Sequence, residues 1–481
     1  MLNRVSDFVL NRFPLFIFCY FVLQILIRVI TTNGVEIDES EQLMLSQYFS
    51  LGYNAQPPLY TWVQRIFFNI FGENIFAISS LKNLLLFSTY IFTYKTGLLI
   101  TKNKKVSALS AFSLFYLPQI VWEAQIDQIH TVLLTASTAA LFYFYFYTLK
   151  KQNLTGFILI GLASACGVLA KYNFILVDLA LMVATLFVAD YRKKIFNKKL
   201  IVSVSVTTLL VLPHLLWFLA NKDLATLETM QRMSLDQNGS YFTDILHGIV
   251  ELIISYMAFV IPFLIFYIAL FRNSFIQKLN RPSKVLTNYI LISFISIFVI
   301  ILIMQVTNIK ERWLQPYLYI APLLAFMLTD IKSISQKKIN IFISTGLFFC
   351  SVVILMIPLR VMLVDMGKKP HRANYPFEQL SEEIKSIGFD KGLILTEDKF
   401  IGGNLKLFLN DSTIISPSIP LQKFKPEEKV LIVWQTRNPI KFLKGLNLKE
   451  SSRVVQKDIP FRYSKKFTYD ISFQVYTYDG L

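Results

Sequence analysis

Charged side chains are scarce in this sequence. They occupy 16% of the 481 positions, whereas hydrophobic residues occupy 54%, and the mean hydropathy is +0.50. Soluble domains are closer to a quarter charged. The shortage of charge therefore excludes an ordinary soluble protein and predicts a polytopic α-helical membrane protein.

Cysteine is rare, and two local signals are missing. Cys19, Cys166 and Cys350 all lie within apolar runs, so neither a disulfide framework nor a thiol metal site is indicated. The first apolar run lacks a small-residue cleavage site, so we interpret it as a retained helix and not a signal peptide. Gly402-Gly403 is too short to be a glycine-rich phosphate loop.

Acidic residues are fewer than basic ones, 31 against 48, which gives a formal net charge of +17. The basic residues lie mainly in short loops between apolar runs, as cytoplasmic loops of membrane proteins do. We therefore expect membrane lipids, and no nucleic acid, as partners of this charge.

Eleven apolar runs are candidate spans, since crossing a bilayer takes ~20 mostly apolar residues. Loops on one side hold most of the Lys and Arg, and loops on the other side hold few. This bias predicts a multi-pass protein with a cytoplasmic N-terminus and a C-terminal domain on the outer side of the membrane. The predicted spans lie near 14–32, 77–100, 106–121, 130–149, 154–170, 174–189, 200–219, 247–270, 285–306, 317–330 and 340–357; the few outer cations include Lys171, Lys222, Arg232, Lys310 and Arg312.

The last 120 or so residues have ordinary polarity. Residues 377–387 and 404–409 have helix-like patterns, and Gly392–Thr396 and Lys429–Trp434 are candidates for buried strands. Alternation of strand and helix predicts a small α/β domain. We thus expect a transmembrane domain at 1–358 and an extracytoplasmic domain at 359–481.

The first predicted span is followed by the acidic segment Glu36-Ile-Asp-Glu-Ser-Glu41. Carboxylates beside a membrane are costly unless solvated or used, so this cluster is a candidate reactive site. A short interfacial helix should follow it, and Pro57-Pro58 predicts the start of another helix. The outer catalytic loop then extends over about 33–76, with Tyr53, Tyr60 and Trp62 expected as anchors among the lipid headgroups.

Three further outer corners carry candidate residues. At the second corner, Asp127 lies at the start of the next predicted span, with His130 one turn later on the same helical face. A hydrogen-bonded pair and a metal site are both open interpretations. Lys171 marks the third corner, and Lys310 and Arg312 mark the fourth. Cations on this face suit an anionic headgroup or a phosphate-bearing substrate, for which Arg offers a bidentate fork.

The motifs Asp38-Glu39, Gly52-Tyr-Asn-Ala-Gln-Pro-Pro-Leu-Tyr60, Ala170-Lys-Tyr-Asn173 and Arg312-Trp-Leu-Gln-Pro316 resemble those of the GT-C membrane glycosyltransferases. The similar branch contains protein O-mannosyltransferases, lipid A aminoarabinose transferases and lipopolysaccharide-core galacturonosyltransferases, and it is similar to glycosyltransferase family 39. The resemblance implies a GT-C fold in a bacterial inner membrane, with the C-terminal domain in the periplasm. It also implies transfer of a sugar from a polyprenyl phosphate to an envelope acceptor on the outer face of that membrane, with inversion by direct displacement.

The resemblance also implies roles for individual residues. Asp38, Glu39 and Asp127 match catalytic acidic positions, and Lys171 and Arg312 match basic positions that face the carrier phosphate. Substrate binding is further assigned to residues of the same motifs and corners, namely Tyr53, Gln56, Tyr60, His130, Tyr172 and Lys310. Aminoarabinose transferases have Lys where this chain has Gln56, and Gln-Pro-Pro is more similar to the galacturonosyltransferases.

No cofactor is required by this mechanism, and a divalent metal bound by Asp38, Glu39 and Asp127 is the alternative. The expected partners are a polyprenyl-phosphate-linked sugar and a lipid or glycan acceptor, such as lipid A or a lipopolysaccharide core. Two other functions stay open: protein O-glycosylation, and transport or flipping of lipid-linked sugars. A transporter should show internal repeats and mid-membrane charges, and we find no repeat and few such charges in the sequence.

Overall fold

The computed structural model describes residues 2–226, 240–275, 278–419, 429–443 and 448–478. Arg232 lies outside the described residues. The chain divides into two compact units. Unit 1 comprises Met1–Val22, Ser50–Tyr60 and Lys82–Val353, and unit 2 comprises Leu23–Phe49, Thr61–Leu81 and Ile354–Leu481. The division thus falls near the predicted boundary at 358, but it also assigns two early segments, including the acidic one, to the same unit as the C-terminal domain.

The described part of the chain contains seven helices that are long and apolar enough to cross a membrane, and two shorter apolar helices. Each of these nine corresponds to a predicted span. The helices from the N-terminus to residue 220 are α1 (Leu2–Asn11), α2 (Phe13–Thr31), α3 (Ile37–Leu45), α4 (Leu59–Phe71), α5 (Ile75–Thr101), α6 (Lys104–Phe112), α7 (Ala124–Ile126), α8 (Ile129–Lys151), α9 (Leu154–Ala170), α10 (Phe174–Leu186), α11 (Ala189–Ile195) and α12 (Leu200–Ala220).

The later described helices complete the membrane region and contribute two helices to the C-terminal domain. These helices are α13 (Tyr241–Phe271), α14 (Arg281–Met304), α15 (Glu311–Leu318), α16 (Ala321–Met327), α17 (Gln336–Met362), α18 (Phe377–Ser386) and α19 (Lys399–Lys406). Of these, α13, α14 and α17 are long and apolar enough to cross a membrane.

Two predicted spans are not continuous helices. In the segment at 106–121, α6 ends at Phe112, and the chain continues as a 3-10 turn and a π-helical turn. Leu117 is extended there because the following Pro118 disfavours helical geometry at the preceding residue. The segment at 317–330 is divided between α15 and α16, and Pro322 lies at the start of α16. Proline is tolerated there, in the first turn of a new helix.

Unit 1 is held together by aromatic packing between its helices. Tyr116 stacks on Phe342 with ring centroids 4.6 Å apart, and Phe115 contacts Tyr20 and Tyr90 edge-on or tilted at 4.9 Å. Such rings bury large apolar areas and prefer these offset or edge contacts. The three cysteines are free, as expected.

Unit 2 contains the predicted α/β domain. The described strands are β1 (Leu393–Thr396), β2 (Thr413–Ile415), β3 (Lys429–Trp434), β4 (Leu448–Glu450), β5 (Val455–Pro460) and β6 (Thr468–Tyr478). They form a sheet with the strand order β2-β1-β3-β6-β4, and β5 is also paired to β6. β1 is parallel to β2 and β3, whereas β3 is antiparallel to β6.

The strand and helix patterns predicted for this domain agree with the structure in type. α19 begins earlier than the predicted 404–409, because the Asp398 side chain accepts a hydrogen bond from the Ile401 N–H at 2.9 Å and caps the helix. An apolar cluster of unit 2 joins Val35 and Leu43 to Phe68, Ala77 and Ile78. The acidic segment is therefore attached to a packed core within unit 2.

Candidate active site

The acidic segment of unit 2 forms the start of α3. The expected interfacial helix does not follow the carboxylates but includes them, since α3 begins at Ile37. The Glu36 carbonyl accepts the Ser40 N–H at 2.8 Å, and the Glu36 N–H donates to Glu39 Oε2 at 3.1 Å. Carboxylates are favoured here because the helix N-terminus carries partial positive charge.

Glu39 forms a buried ion pair with Arg28 of α2. The distance from Arg28 Nη2 to Glu39 Oε2 is 2.9 Å, and the same Nη2 donates to the Gly34 carbonyl at 3.2 Å. Removing one partner of such a pair leaves an uncompensated buried charge. Glu39 is therefore bound within the protein.

Glu36 lies beside two arginines and a histidine from residues 360–372 of unit 2. Its carboxylate lies 3.6 Å from Arg360, 3.6 Å from Arg372 and 3.5 Å from His371. Burial raises the pKa of Glu36, the Glu39 carboxylate raises it further, and Arg28, Arg360 and Arg372 lower it. Glu41 is neutralised separately by Lys399, whose Nζ lies 2.8 Å from Glu41 Oε1.

Asp38 differs from the other three carboxylates of the segment. It is half-buried, and among the residues that the structure describes it has neither an ion pair nor a side-chain hydrogen bond. A general base must have a lone pair available for the proton it accepts. Of the four carboxylates, only Asp38 has this availability in the described structure.

Unit 1 contains a cavity of about 230 Å³. Ile297, Ile300 and Ile301 of α14 form part of its apolar wall. Five of the residues that the sequence analysis assigned to substrate binding also line it: Gln56, Lys171, Tyr172, Lys310 and Arg312.

The cationic side of the cavity is not neutralised by acidic side chains that line it. Lys171 Nζ donates to Thr131 Oγ1 at 3.2 Å. Lys310 is exposed and Arg312 is half-buried, and within the described ranges neither side chain has an ion pair or a hydrogen bond. Such a site suits a ligand with an apolar body and an anionic group.

Tyr172 connects the third corner to the glycine motif. His214 Nδ1 lies 2.8 Å from the Leu51 carbonyl, so Nδ1 carries the proton, and Nε2 accepts from the Tyr172 hydroxyl at 3.2 Å. Burial raises the pKa of Tyr172, which keeps that hydroxyl protonated. A Cβ at Gly52 would lie 2.1 Å from the ring of Trp217, so the motif requires glycine for this close approach.

The second corner differs from its predicted geometry. Gln128 has φ 70° and separates Asp127 from α8, which begins at Ile129, so Asp127 and His130 do not share a helix face. His130 is buried and its ring centroid lies 5.6 Å from that of Tyr60. The expectation of one continuous helix through both residues is wrong because of this left-handed residue.

The aromatic residues of the first outer loop are largely interior. Tyr53 is 2% exposed and Tyr60 is 1% exposed, so the expectation that both rings are headgroup anchors is wrong. The Tyr53 hydroxyl accepts the Ser50 N–H at 3.2 Å. Trp62 is half-buried and stacks on the exposed Phe49 at 5.7 Å, which is compatible with anchoring.

Two buried cations were missed by the sequence analysis. Arg28 and Lys82 both lie within predicted spans. Lys82 is 2% exposed, and its Nζ lies 3.5 Å from the carbonyls of Gln125 and Ile126, directly before Asp127. Charged residues within spans are rare and usually functional. Applying this rule to the predicted spans would have identified both residues.

No group of three or more His, Cys, Asp or Glu side chains suited to a metal ion is found among the described residues. The alternative metal site at Asp38, Glu39 and Asp127 therefore gains no support from the structure.

Comparison with known proteins identifies similar glycosyltransferases. The family model described as dolichyl-phosphate-mannose-protein mannosyltransferase matches residues 55–217. The lipopolysaccharide core galacturonosyltransferase RgtA of Rhizobium johnstonii is 28% identical over 450 residues, which cover 90% of this chain and 88% of RgtA. RgtB of the same organism, a protein of the same description, is 30% identical over 428 residues, which cover 86% of this chain and 85% of RgtB.

The chain is also similar to two crystal structures of ArnT from Cupriavidus metallidurans. The structure bound to undecaprenyl phosphate superposes with a TM-score of 0.63 at 11% identity, and the apo structure with 0.62 at 12%. In both cases the match covers 97% of this chain and 98% of ArnT. This similarity confirms the predicted fold class, a polytopic helical GT-C membrane protein with a small C-terminal sheet domain.

The environment of His371 predicts a pH dependence of stability. Burial, followed by Arg360, Arg28 and Arg372, lowers the pKa of His371 from 6.5 to about 4. The unfolded chain therefore binds a proton between these values and the folded protein does not, so this contribution to stability is present above pH 6.5 and is lost as the pH falls towards 4.

We expect the Tm of the detergent-solubilised protein to fall over this window, and His371→Gln to reduce that fall. The raised pKa of Glu36 acts in the opposite direction, so the difference between wild type and variant isolates the histidine. His247→Gln, at an exposed position, is the control and should keep the wild-type profile. An unchanged profile for His371→Gln would contradict the prediction.

Proposed function

Since this chain belongs to the family of membrane glycosyltransferases that includes the lipopolysaccharide core galacturonosyltransferase RgtB, we propose that it transfers a uronic acid from a polyprenyl phosphate to a lipopolysaccharide-type acceptor. The observation that carries this proposal is the apolar cavity of unit 1 with the cations Lys310 and Arg312 at its wall, neither paired within the described residues. A polyprenyl phosphate matches both features. The fold relative ArnT is described as binding undecaprenyl phosphate.

The charge of the cavity supports an acidic sugar. Lys171, Lys310 and Arg312 line it, and none of the described lining residues is acidic. A polyprenyl phosphate diester carries one negative charge, and a uronate adds a second. Gln56 occupies the position before the proline pair, where an amide can hydrogen-bond a carboxylate or hydroxyl without adding charge. RgtA and RgtB are both named galacturonosyltransferases, so galacturonate is the sugar to test first.

Asp38 is proposed as the general base. The acceptor hydroxyl oxygen attacks the anomeric carbon and forms the new glycosidic bond while the bond to the phosphate oxygen breaks. The proton of the hydroxyl passes to Asp38, and the bonding pair leaves with the polyprenyl phosphate. Attack opposite the leaving group inverts the anomeric configuration.

The remaining catalytic assignments are proposed as supporting roles. Glu39 is engaged by Arg28, so we assign it to holding α3 and not to proton transfer. Asp127 directly follows Ile126, whose carbonyl oxygen lies 3.5 Å from Lys82 Nζ. We assign Asp127 to orienting the acceptor or the sugar. No metal is needed for these steps.

The side of the membrane follows from the loop charges. We propose the inner membrane of a bacterium, with the N-terminus in the cytoplasm and the C-terminal domain in the periplasm, because the Lys- and Arg-rich loops are expected on the cytoplasmic side. The acceptor would then be met on the periplasmic face.

The function is tested with purified protein, a lipopolysaccharide acceptor and radiolabelled donors. We expect transfer of label from polyprenyl phosphate galacturonate, and little transfer from the corresponding mannose or aminoarabinose donor. Label found on a protein would favour protein O-glycosylation, as the name of the matching family model suggests. Relocation of the donor in vesicles without covalent transfer would instead identify a flippase and overturn the proposal.

The base is tested by Asp38→Asn. The variant should express and fold normally, because Asp38 is half-buried and has no partner among the described residues. Its kcat should fall by ~10²–10⁴-fold, the usual contribution of a positioned acid or base. Glu382→Gln, an exposed carboxylate of the C-terminal domain, is the control and should keep wild-type activity. Full activity of Asp38→Asn would remove this residue from the mechanism.

The phosphate contacts are tested by Arg312→Ala, Arg312→Lys and Lys171→Ala. We expect Arg312→Ala to raise the donor KM strongly, and Arg312→Lys to restore only part of the affinity because an ammonium lacks the bidentate fork. The double variant with Lys171→Ala should lose less than the sum of the single losses, since both act on one group. Strictly additive losses, or a wild-type KM in either single alanine variant, would show that the residues are membrane-surface anchors.

A further inference from the structure

The C-terminal domain contacts the helix that carries Asp38 through a short, small-residue face of α19. A Cβ at Gly403 would lie 2.2 Å from the Ser40 carbonyl oxygen, and a Cβ at Gly402 would lie 2.6 Å from Met44 Sδ. No other residue type fits so close to a backbone. Gly402-Gly403, which is too short for a phosphate loop, therefore lets the two helices approach closely within unit 2.

Asn404 adds directional bonds next to this contact. Its side chain is fully buried. Its Oδ1 accepts the Val35 N–H at 2.9 Å, and its Nδ2 donates to the Val35 carbonyl at 3.2 Å and to Ser40 Oγ at 3.0 Å. Ser40 in turn donates to the Glu36 carbonyl at 2.8 Å. One amide thus binds the chain on both sides of Asp38.

The rest of α3 is held by the same domain. Gln47, just after the helix, exchanges two hydrogen bonds of 2.8 Å with the Ile414 backbone, in the way a neighbouring strand would pair with β2. Lys399, the first residue of α19, pairs with Glu41. These contacts fix the start, the middle and the end of α3.

We propose that α19, chiefly through Asn404, positions Asp38 for proton transfer, so that the C-terminal domain is part of the catalytic apparatus. This inference rests on the proposed role of Asp38 as base. Asp38 has no described partner to hold its carboxylate, so its position depends on the backbone of α3. A misplacement of a reacting group by about 1 Å can cost ~10²-fold in rate.

The experiment measures kcat and donor KM for Asn404→Ala in two backgrounds, wild type and Asp38→Asn. In the wild type we expect kcat to fall by roughly 10- to 100-fold, with a donor KM within about twofold, because Lys171 and Arg312 are unchanged. In the Asp38→Asn background Asn404→Ala should cause no further fall. Gln456→Ala, which removes an exposed hydrogen bond to Asp470 in the same domain, is the control and should leave kcat unchanged.

Two outcomes would overturn the inference: an equal loss of kcat in both backgrounds, or an unchanged kcat for Asn404→Ala. Should Asn404→Ala fail to fold, Ser40→Ala removes only one of the three bonds that Asn404 makes to Val35 and Ser40. It should give a smaller loss of kcat, again absent with Asp38→Asn. Failure of the proposed function is recognised separately. In that case wild-type protein transfers no sugar, or Asp38→Asn keeps full activity.

Discussion

Compensation of buried carboxylates is the constraint on which the acidic segment depends. Four acidic side chains in six positions would repel one another and resist burial, because removing a charge from water costs several kcal/mol. Arg28 and Lys399 neutralise Glu39 and Glu41, and two arginines and a histidine of unit 2 lie beside Glu36. This arrangement allows the segment to fold as a helix and leaves Asp38 as its carboxylate without a described partner.

The cavity of unit 1 has an excess of positive charge, the opposite of the acidic segment. At its cavity Lys310 and Arg312 have no partner within the described residues, and the neighbouring wall is apolar. Unpaired cations destabilise a site through mutual repulsion unless an anion binds there. The same electrostatic rule thus explains a structural role for Glu36, Glu39 and Glu41 in unit 2 and supports a ligand-binding role for the cations of unit 1.

The C-terminal domain illustrates how a small sheet can support a membrane enzyme without contributing a reacting group. Its parallel strands β1 and β2 flank α19 in the sequence, and α19 presents glycines and one buried asparagine to α3. Hydrogen bonds to a buried amide are directional and expensive to break. They can therefore define a backbone position more precisely than apolar packing would.

The sequence alone determined the class of the protein, because long apolar runs have few alternatives to membrane helices. In the described part of the chain, seven of the eleven runs are helices long enough to cross a membrane and two more are shorter apolar helices. Its motifs also indicated residues that line one cavity, including Lys171 and Arg312. Pro118 explains one of the two broken spans, and Pro322 lies in the first turn of the new helix in the other. The tertiary structure decided which carboxylate is available, since the partners of Glu36 and Glu41 lie more than 300 residues along the chain. It also decided that Tyr53 and Tyr60 are interior, because aromatic rings suit a lipid interface and a protein core equally well.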